Sequence, residues 1–106
     1  EEEIMKYKTS ELTGEALNQA VANAAAEYDG VVSYADYCGM WEYGGPIIER
    51  EHIETAPEYT EDGALLWRAR KHDAHGVFLP GHVDASLLVA AMRCFVFRAL
   101  GPEVDL

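Results

Sequence analysis

The sequence predicts an α+β domain: a small, mostly antiparallel sheet packed with two main helices, about 13–28 and 84–100, and a short helix near 46–51. Two features lead to this fold class. Helix-type periodicity occurs near both ends of the chain, and two extended segments separated by a turn occur between them. The 106 residues have the length of a single domain, 1–106, in which Glu1–Ile4 could be extra residues before a natural start at Met5.

The segment Ser86–Leu100 is the most apolar part of the chain, with twelve apolar residues in fifteen. A helix of that composition has to be covered on more than one side, so we expect it to be the central helix of the core. Asp84 is its expected N-cap. Arg93 and Arg98 lie roughly 140° apart around this helix, and we expect each to meet an acid from the first half of the chain.

The first third of the chain predicts a strand followed by a helix. Ile4–Thr9 alternates in the manner of a short strand. Thr13 is the expected N-cap of the helix over 13–28, whose apolar residues recur along one side, and Gly30 is expected to end it. Val31–Tyr34 is a candidate second strand.

Gly44, Gly45 and Pro46 predict a turn that leads into the short helix. The ten residues 35–44 mix aromatic and small residues without a clear period, which is typical of a loop. Proline is tolerated in the first turn of a helix because it lacks a backbone N–H. The helix is therefore expected to begin at Pro46 and to end at Glu51.

The segments His52–Tyr59 and Ala64–Lys71 predict a β-hairpin. The residues between them, 60–63, end in Asp-Gly, a pair that favours a hairpin turn. Two arginines of the second strand could pair with two glutamates of the first. These are Arg68 and Arg70, facing Glu54 and Glu58.

The composition indicates an ordinary globular protein with an acidic surface. Its formal net charge is −11, and residues 1–62 hold fifteen acidic but only three basic residues. Direct nucleic-acid binding is not expected, because contacts to phosphates need clustered Lys and Arg.

The apolar segment near the carboxyl end is too short for a membrane span, and no secretory leader is expected. Cys38 and Cys94 lack a paired spacing, which favours a reducing cytoplasm.

Three blocks of the sequence resemble the NinX-like family of small phage and prophage proteins. They are MKYKTSELTGEAL with the following AVA within Met5–Ala22, GGPIIERE at Gly44–Glu51, and AAMRC at Ala90–Cys94 with the closing segment Gly101–Asp105. The blocks occur in the family's order, although Asn18 and Gln19 depart from its pattern. The resemblance implies a protein of a tailed phage or prophage that acts in the host cytoplasm. It supplies no catalytic residue or cofactor.

An edge rich in aromatic residues is the first candidate site. Trp, Tyr and Arg are the residue types that anchor protein interfaces. The edge consists of Trp41, Tyr43, Gly44, Gly45, Pro46, Glu49 and Arg50. We expect it to bind an unidentified host or phage protein, so the chain is predicted to be a non-enzymatic binding module. The alternative interpretation is that the aromatic residues cover the core and the glycines only turn the chain.

Three histidines, His72, His75 and His82, are a candidate metal site, because imidazoles close together on a loop could hold zinc or nickel. The HxxH spacing also occurs in ordinary solvated turns. With Glu49, these histidines support the alternative of a small metal-dependent or hydrolytic enzyme. No nucleophile or phosphate-binding loop accompanies them, and no cofactor is expected.

Two further hypotheses concern association. The acidic surface could imitate DNA, which would make the chain a decoy for a DNA-binding host protein. The apolar circumference of the helix 84–100, with Ala90 and Phe97 on its far side, could be covered by the helix 13–28 or by a second copy of the chain in a homodimer.

Overall fold

A computed structural model describes residues 4–79 and 81–106 and shows an α+β fold, which confirms the predicted class. The elements are β1 (Lys6–Lys8), a 3₁₀ turn (Thr9–Glu11), α1 (Gly14–Asp29), α2 (Trp41–Glu51), β2 (Glu54–Tyr59), β3 (Leu65–Arg70), β4 (His82–Asp84), α3 (Leu87–Leu100) and β5 (Glu103–Asp105). They form two antiparallel sheets, β1–β5 and β2–β3–β4. Of the predicted extra residues Glu1–Ile4, the first three lie outside the described part of the chain.

The central helix of the core is α3, as its composition predicts. Its residues 90–96 are all buried, and α1, α2, β3 and β4 all pack against it. Ala90 is fully buried, and the Phe97 ring lies 5.1 Å from the ring of His82. Elements of the same chain thus cover the helix, so a second copy is not needed to cover its far side. The homodimer stays a prediction.

The predicted N-cap of α3 is wrong. Ser86 holds that position, and its hydroxyl oxygen accepts a hydrogen bond from the Val89 backbone N–H at 3.3 Å. Asp84 ends β4 instead, where its carboxylate accepts the Ser86 N–H at 2.8 Å and pairs with Arg93. The acid is therefore used to position the turn before the helix, and the hydroxyl caps the helix itself.

The predicted hairpin is confirmed. Glu54 lies opposite Arg70 in the register of β2 and β3, and the Arg70 Nη2 atom is 2.8 Å from Glu54 Oε1. Arg68 donates to Glu58, with Nη2 and Oε1 3.0 Å apart. Both pairs are exposed, so each stabilises the hairpin by only a few tenths of a kcal/mol.

The ends of the described chain meet in the small sheet. Lys6–Lys8 pairs with Glu103–Asp105, so the strand predicted over Ile4–Thr9 is shorter than expected. Next to the sheet, the buried Thr9 hydroxyl donates to the Gly101 carbonyl oxygen at 2.7 Å.

The middle of the chain differs most from its prediction. Val31–Tyr34 is irregular and not a strand. The residues after Gly30, which ends α1 in a left-handed conformation, lie near the start of that helix again. There the Tyr34 hydroxyl donates to the Glu15 carbonyl oxygen at 3.3 Å. All four residues of the segment are exposed, so their backbone groups can hydrogen-bond to water and need no strand partner.

Candidate functional site

The Gly-Gly-Pro sequence lies inside α2, which corrects the predicted turn and the predicted helix start at Pro46. Gly44 is buried where α2 meets the chain before it and α3. A Cβ added there would collide with the Tyr37 carbonyl oxygen and would lie 2.8 Å from Leu88 Cδ2. Packing against these neighbours therefore outweighs the poor helix propensity of Gly and Pro. The helix begins at Trp41, five residues earlier than predicted.

The two aromatic residues of the predicted edge lie on opposite flanks of α2. Residues two positions apart are separated by about 200° around a helix. Trp41 is 58% exposed and lies close to Gly45, where an added Cβ would be 3.4 Å from Trp41 Cε3. Tyr43 is 42% exposed and contacts the ring of Tyr37 edge-on. Between these flanks, Glu42, Pro46 and Glu49 point to solvent.

Arg50 contributes to the packing of the fold. Its guanidinium lies 5.5 Å from the centre of the Tyr28 ring and 5.8 Å from that of Phe95. Its Nε atom also donates to Glu51 Oε2 at 3.0 Å. Arg50 thus connects the end of α2 to α1 and α3 through cation–π contacts, while its ion pair lies within α2.

Glu51 is the last residue of α2 and links two elements. Its carboxylate accepts hydrogen bonds from Arg50 and from Lys71 Nζ, the latter at 2.9 Å. Burial by itself would raise the pKa of Glu51, but the hydrogen bonds from Lys71 and Arg50 outweigh it, so the pKa lies below its usual value. The carboxylate therefore stays ionised at neutral pH and joins α2 to the end of the hairpin.

A cleft that the sequence did not predict lies at the start of α1. We call it the Tyr34 cleft; its volume is about 340 Å³, and its lining residues are Gly14, Glu15, Asn18, Tyr34, Ala35 and Asp36. Asn18 is buried and holds the wall together. Its side-chain nitrogen donates to Asp36 Oδ1 at 2.9 Å, and its oxygen accepts the Cys38 N–H at 2.9 Å. The Asp36 carboxylate is thereby held in place while the residue remains exposed.

Exposed apolar side chains are concentrated in one stretch of the chain, which runs from the end of α1 through the loop beside this cleft to the start of α2. Half of the large apolar residues that are exposed in the described structure lie between residues 28 and 43. They are Tyr28, Val31, Val32, Tyr34, Met40, Trp41 and Tyr43. Exposed apolar surface that is concentrated in this way is typical of binding sites.

The three predicted metal ligands have different surroundings. His72 stacks on Phe78 with ring centres 3.9 Å apart, and His75 is exposed. His82 is only 7% exposed, and burial, followed by the charge of Arg93, lowers its pKa. Across residues 4–79 and 81–106, no three His, Cys, Asp or Glu side chains are grouped so that they could hold a metal ion.

Both cysteine thiols are buried and reduced. Burial is the main reason that the pKa of Cys38 is raised and that the pKa of Cys94 reaches about 11. A thiol is nucleophilic only as the thiolate, so both groups stay in the unreactive form at neutral pH. Their role in the structure is packing.

No helix within the described ranges has both the length and the apolar character needed to cross a bilayer.

Comparison with known proteins identifies the family. No curated protein matches the sequence. A family model described as "Bacteriophage P22, NinX" matches residues 36–99, a span that includes all of α2, the three-stranded sheet and almost all of α3. The chain therefore belongs to the NinX family of phage proteins.

Proposed function

We propose that this phage accessory protein is a non-enzymatic module that binds a host or phage protein in the host cytoplasm. The observation that supports the proposal is the concentration of exposed aromatic and aliphatic side chains between residues 28 and 43. Placing such side chains in water is unfavourable, and contact with a partner would remove the cost. Trp41 and Tyr43 are the expected anchors, with Pro46 and Glu49 between them.

The other residues of the predicted edge support this surface from within. Gly44 allows α2 to approach α3, Gly45 lies beside the Trp41 ring, and Arg50 holds the end of the helix. In this proposal the binding residues are therefore Trp41, Tyr43, Pro46 and Glu49.

Capture from host cells that carry the phage tests the proposal. The tagged protein is expected to retain a specific partner, and the double variant Trp41→Ser/Tyr43→Ser is expected to retain about tenfold less of it, because truncated aromatic anchors dominate interface energies. Tyr59→Ser is the matched control, since Tyr59 is an exposed tyrosine on the hairpin. Equal capture by all three proteins would contradict the proposal.

A further inference from the structure

The surface that contains the exposed apolar residues is strongly negative. Residues 9–49 contain seven Asp or Glu residues and no Lys or Arg. Six of those acids are exposed on α1, on α2 or in the loop between them; they are Glu15, Glu27, Asp29, Asp36, Glu42 and Glu49. A partner segment that carries positive charge would be attracted to this surface, whereas an acidic segment would be repelled.

The Tyr34 cleft combines the groups that recognise a guanidinium. Glu15 and Asp36 provide carboxylates, and Tyr34, which is 55% exposed, provides an aromatic wall. Arg pairs with carboxylates through its planar donors and stacks on aromatic rings, because its charge is delocalised and weakly hydrated. The orientation of Asp36 is set in advance by its hydrogen bond from the buried Asn18, so a ligand does not have to order it.

The same chain already holds an arginine in this way. The guanidinium of Arg50 lies over Tyr28 and Phe95 while its Nε atom donates to the Glu51 carboxylate. On β3, Arg70 lies 3.5 Å from the centre of the Phe78 ring while it pairs with Glu54. A carboxylate beside an aromatic ring is thus a recurring arginine site in this fold.

We propose that the Tyr34 cleft and the exposed surface around it bind a basic segment of a partner protein and seat one of its arginine side chains. This inference rests on the proposed protein-binding function. It adds the chemistry of the partner: a segment rich in arginine, with apolar residues beside them to cover Val31 and Val32.

Fluorescence anisotropy with a fluorescein-labelled hexa-arginine peptide tests the inference, and a hexa-citrulline peptide of the same shape is the uncharged control. The double variant Glu15→Gln/Asp36→Asn is expected to bind the arginine peptide about tenfold more weakly, because it removes both charged acceptors. Its matched control is Glu61→Gln/Glu103→Gln, which changes the net charge equally at exposed positions outside the cleft. That control is expected to weaken binding by less than about twofold.

An aromatic pair of variants covers the case in which the charge variant fails to fold. Tyr34→Leu is expected to weaken peptide binding several-fold, because it removes the stacking surface, and Tyr59→Leu is expected to leave it unchanged. Thermal melting of each variant checks that the fold is retained.

Three results would overturn the inference. One is equal weakening by the two charge variants, which would mean attraction by net charge alone. The second is equal binding of the arginine and citrulline peptides, or no binding at all. The third is a dimer in sedimentation that Glu15→Gln/Asp36→Asn dissociates, which would make a second copy the occupant. If Trp41→Ser/Tyr43→Ser still loses the captured partner, the protein-binding function survives any of these results.

Discussion

At the scale of single residues, Arg93 makes the clearest stabilising contact between the start of the chain and the core helix. It is 7% exposed, and its Nε atom donates to the Leu12 carbonyl oxygen at 2.8 Å. Its Nη1 atom lies 3.4 Å from the Val83 carbonyl oxygen and 3.3 Å from Asp84 Oδ1. Arg93 thus reaches the first half of the chain as predicted, but through a backbone carbonyl, and its acid comes from the second half.

Replacing Arg93 by Leu is expected to lower the free energy of unfolding by about 2–3 kcal/mol. The substitution removes the donor of a buried carbonyl and leaves the partly buried Asp84 without its cation. Urea denaturation measures the change. Arg98→Leu is the control, because Arg98 is exposed and makes no ion pair within the described residues; its expected effect is under about 0.5 kcal/mol. A similar small effect at Arg93 would contradict the assignment.

His82 is the second residue whose contacts have a measurable effect. Its Nε2 atom is buried without a hydrogen-bond partner among the described residues, and the positive Arg93 acts on it as well. Burial and that charge both disfavour the imidazolium in the folded protein, so its pKa is lowered from the ordinary value of 6.5. As the pH falls through 6.5, the unfolded chain takes up the proton first.

The protein is therefore expected to lose stability as the pH falls from 7.5 to 5.5, and part of that loss is due to His82. His82→Leu, which cannot titrate, is expected to lose less over the same interval. Thermal unfolding at both pH values measures the difference. His75→Gln changes an exposed histidine and is expected to behave as the parent protein does. Parallel curves for the parent and His82→Leu would rule out this role for His82.

At the scale of elements, α2 shows where local sequence signals are insufficient. The hairpin, α1 and α3 have local signals that agree with their surroundings: an Asp-Gly turn, a glycine end and continuous apolar periodicity. In α2 the signals conflict with the packing, because Gly44 and Pro46 suggest a turn while the fit of Gly44 against Leu88 stabilises a helix. Only the tertiary contact decides between them, so the helix start was predicted five residues late.

The two adjacent glycines of α2 are expected to respond oppositely to alanine. Gly44→Ala places a methyl group against the Tyr37 carbonyl and Leu88, and we expect a loss of about 1–3 kcal/mol. Gly45→Ala meets only the edge of Trp41 and improves helix propensity, so stability is expected to stay level or to rise by up to about 1 kcal/mol. Chemical denaturation of both variants checks this. Equal losses would mean that backbone flexibility, and not the close approach, matters at Gly44.

At the scale of the whole molecule, the candidate site was only partly predictable. Trp41, Tyr43 and Glu49 were named from residue type alone, and the structure leaves all three exposed. The Tyr34 cleft could not be predicted, because it forms only when the chain after α1 returns to the start of that helix. A signal was nevertheless present in the sequence: forty-one consecutive residues, 9–49, without a positive charge.

The central position of α3 also bears on how the protein is made. A ribosome completes β1, α1, α2 and both hairpin strands before it reaches Leu87–Leu100, the helix against which most of them pack. Until that helix emerges, the apolar side of α1 lacks its main partner and is exposed to aggregation or to chaperones. The small sheet closes later still, since Lys6 must wait for Asp105. Stable folding is therefore expected only after synthesis has passed residue 100, and a product that ends before α3 is expected to stay unfolded.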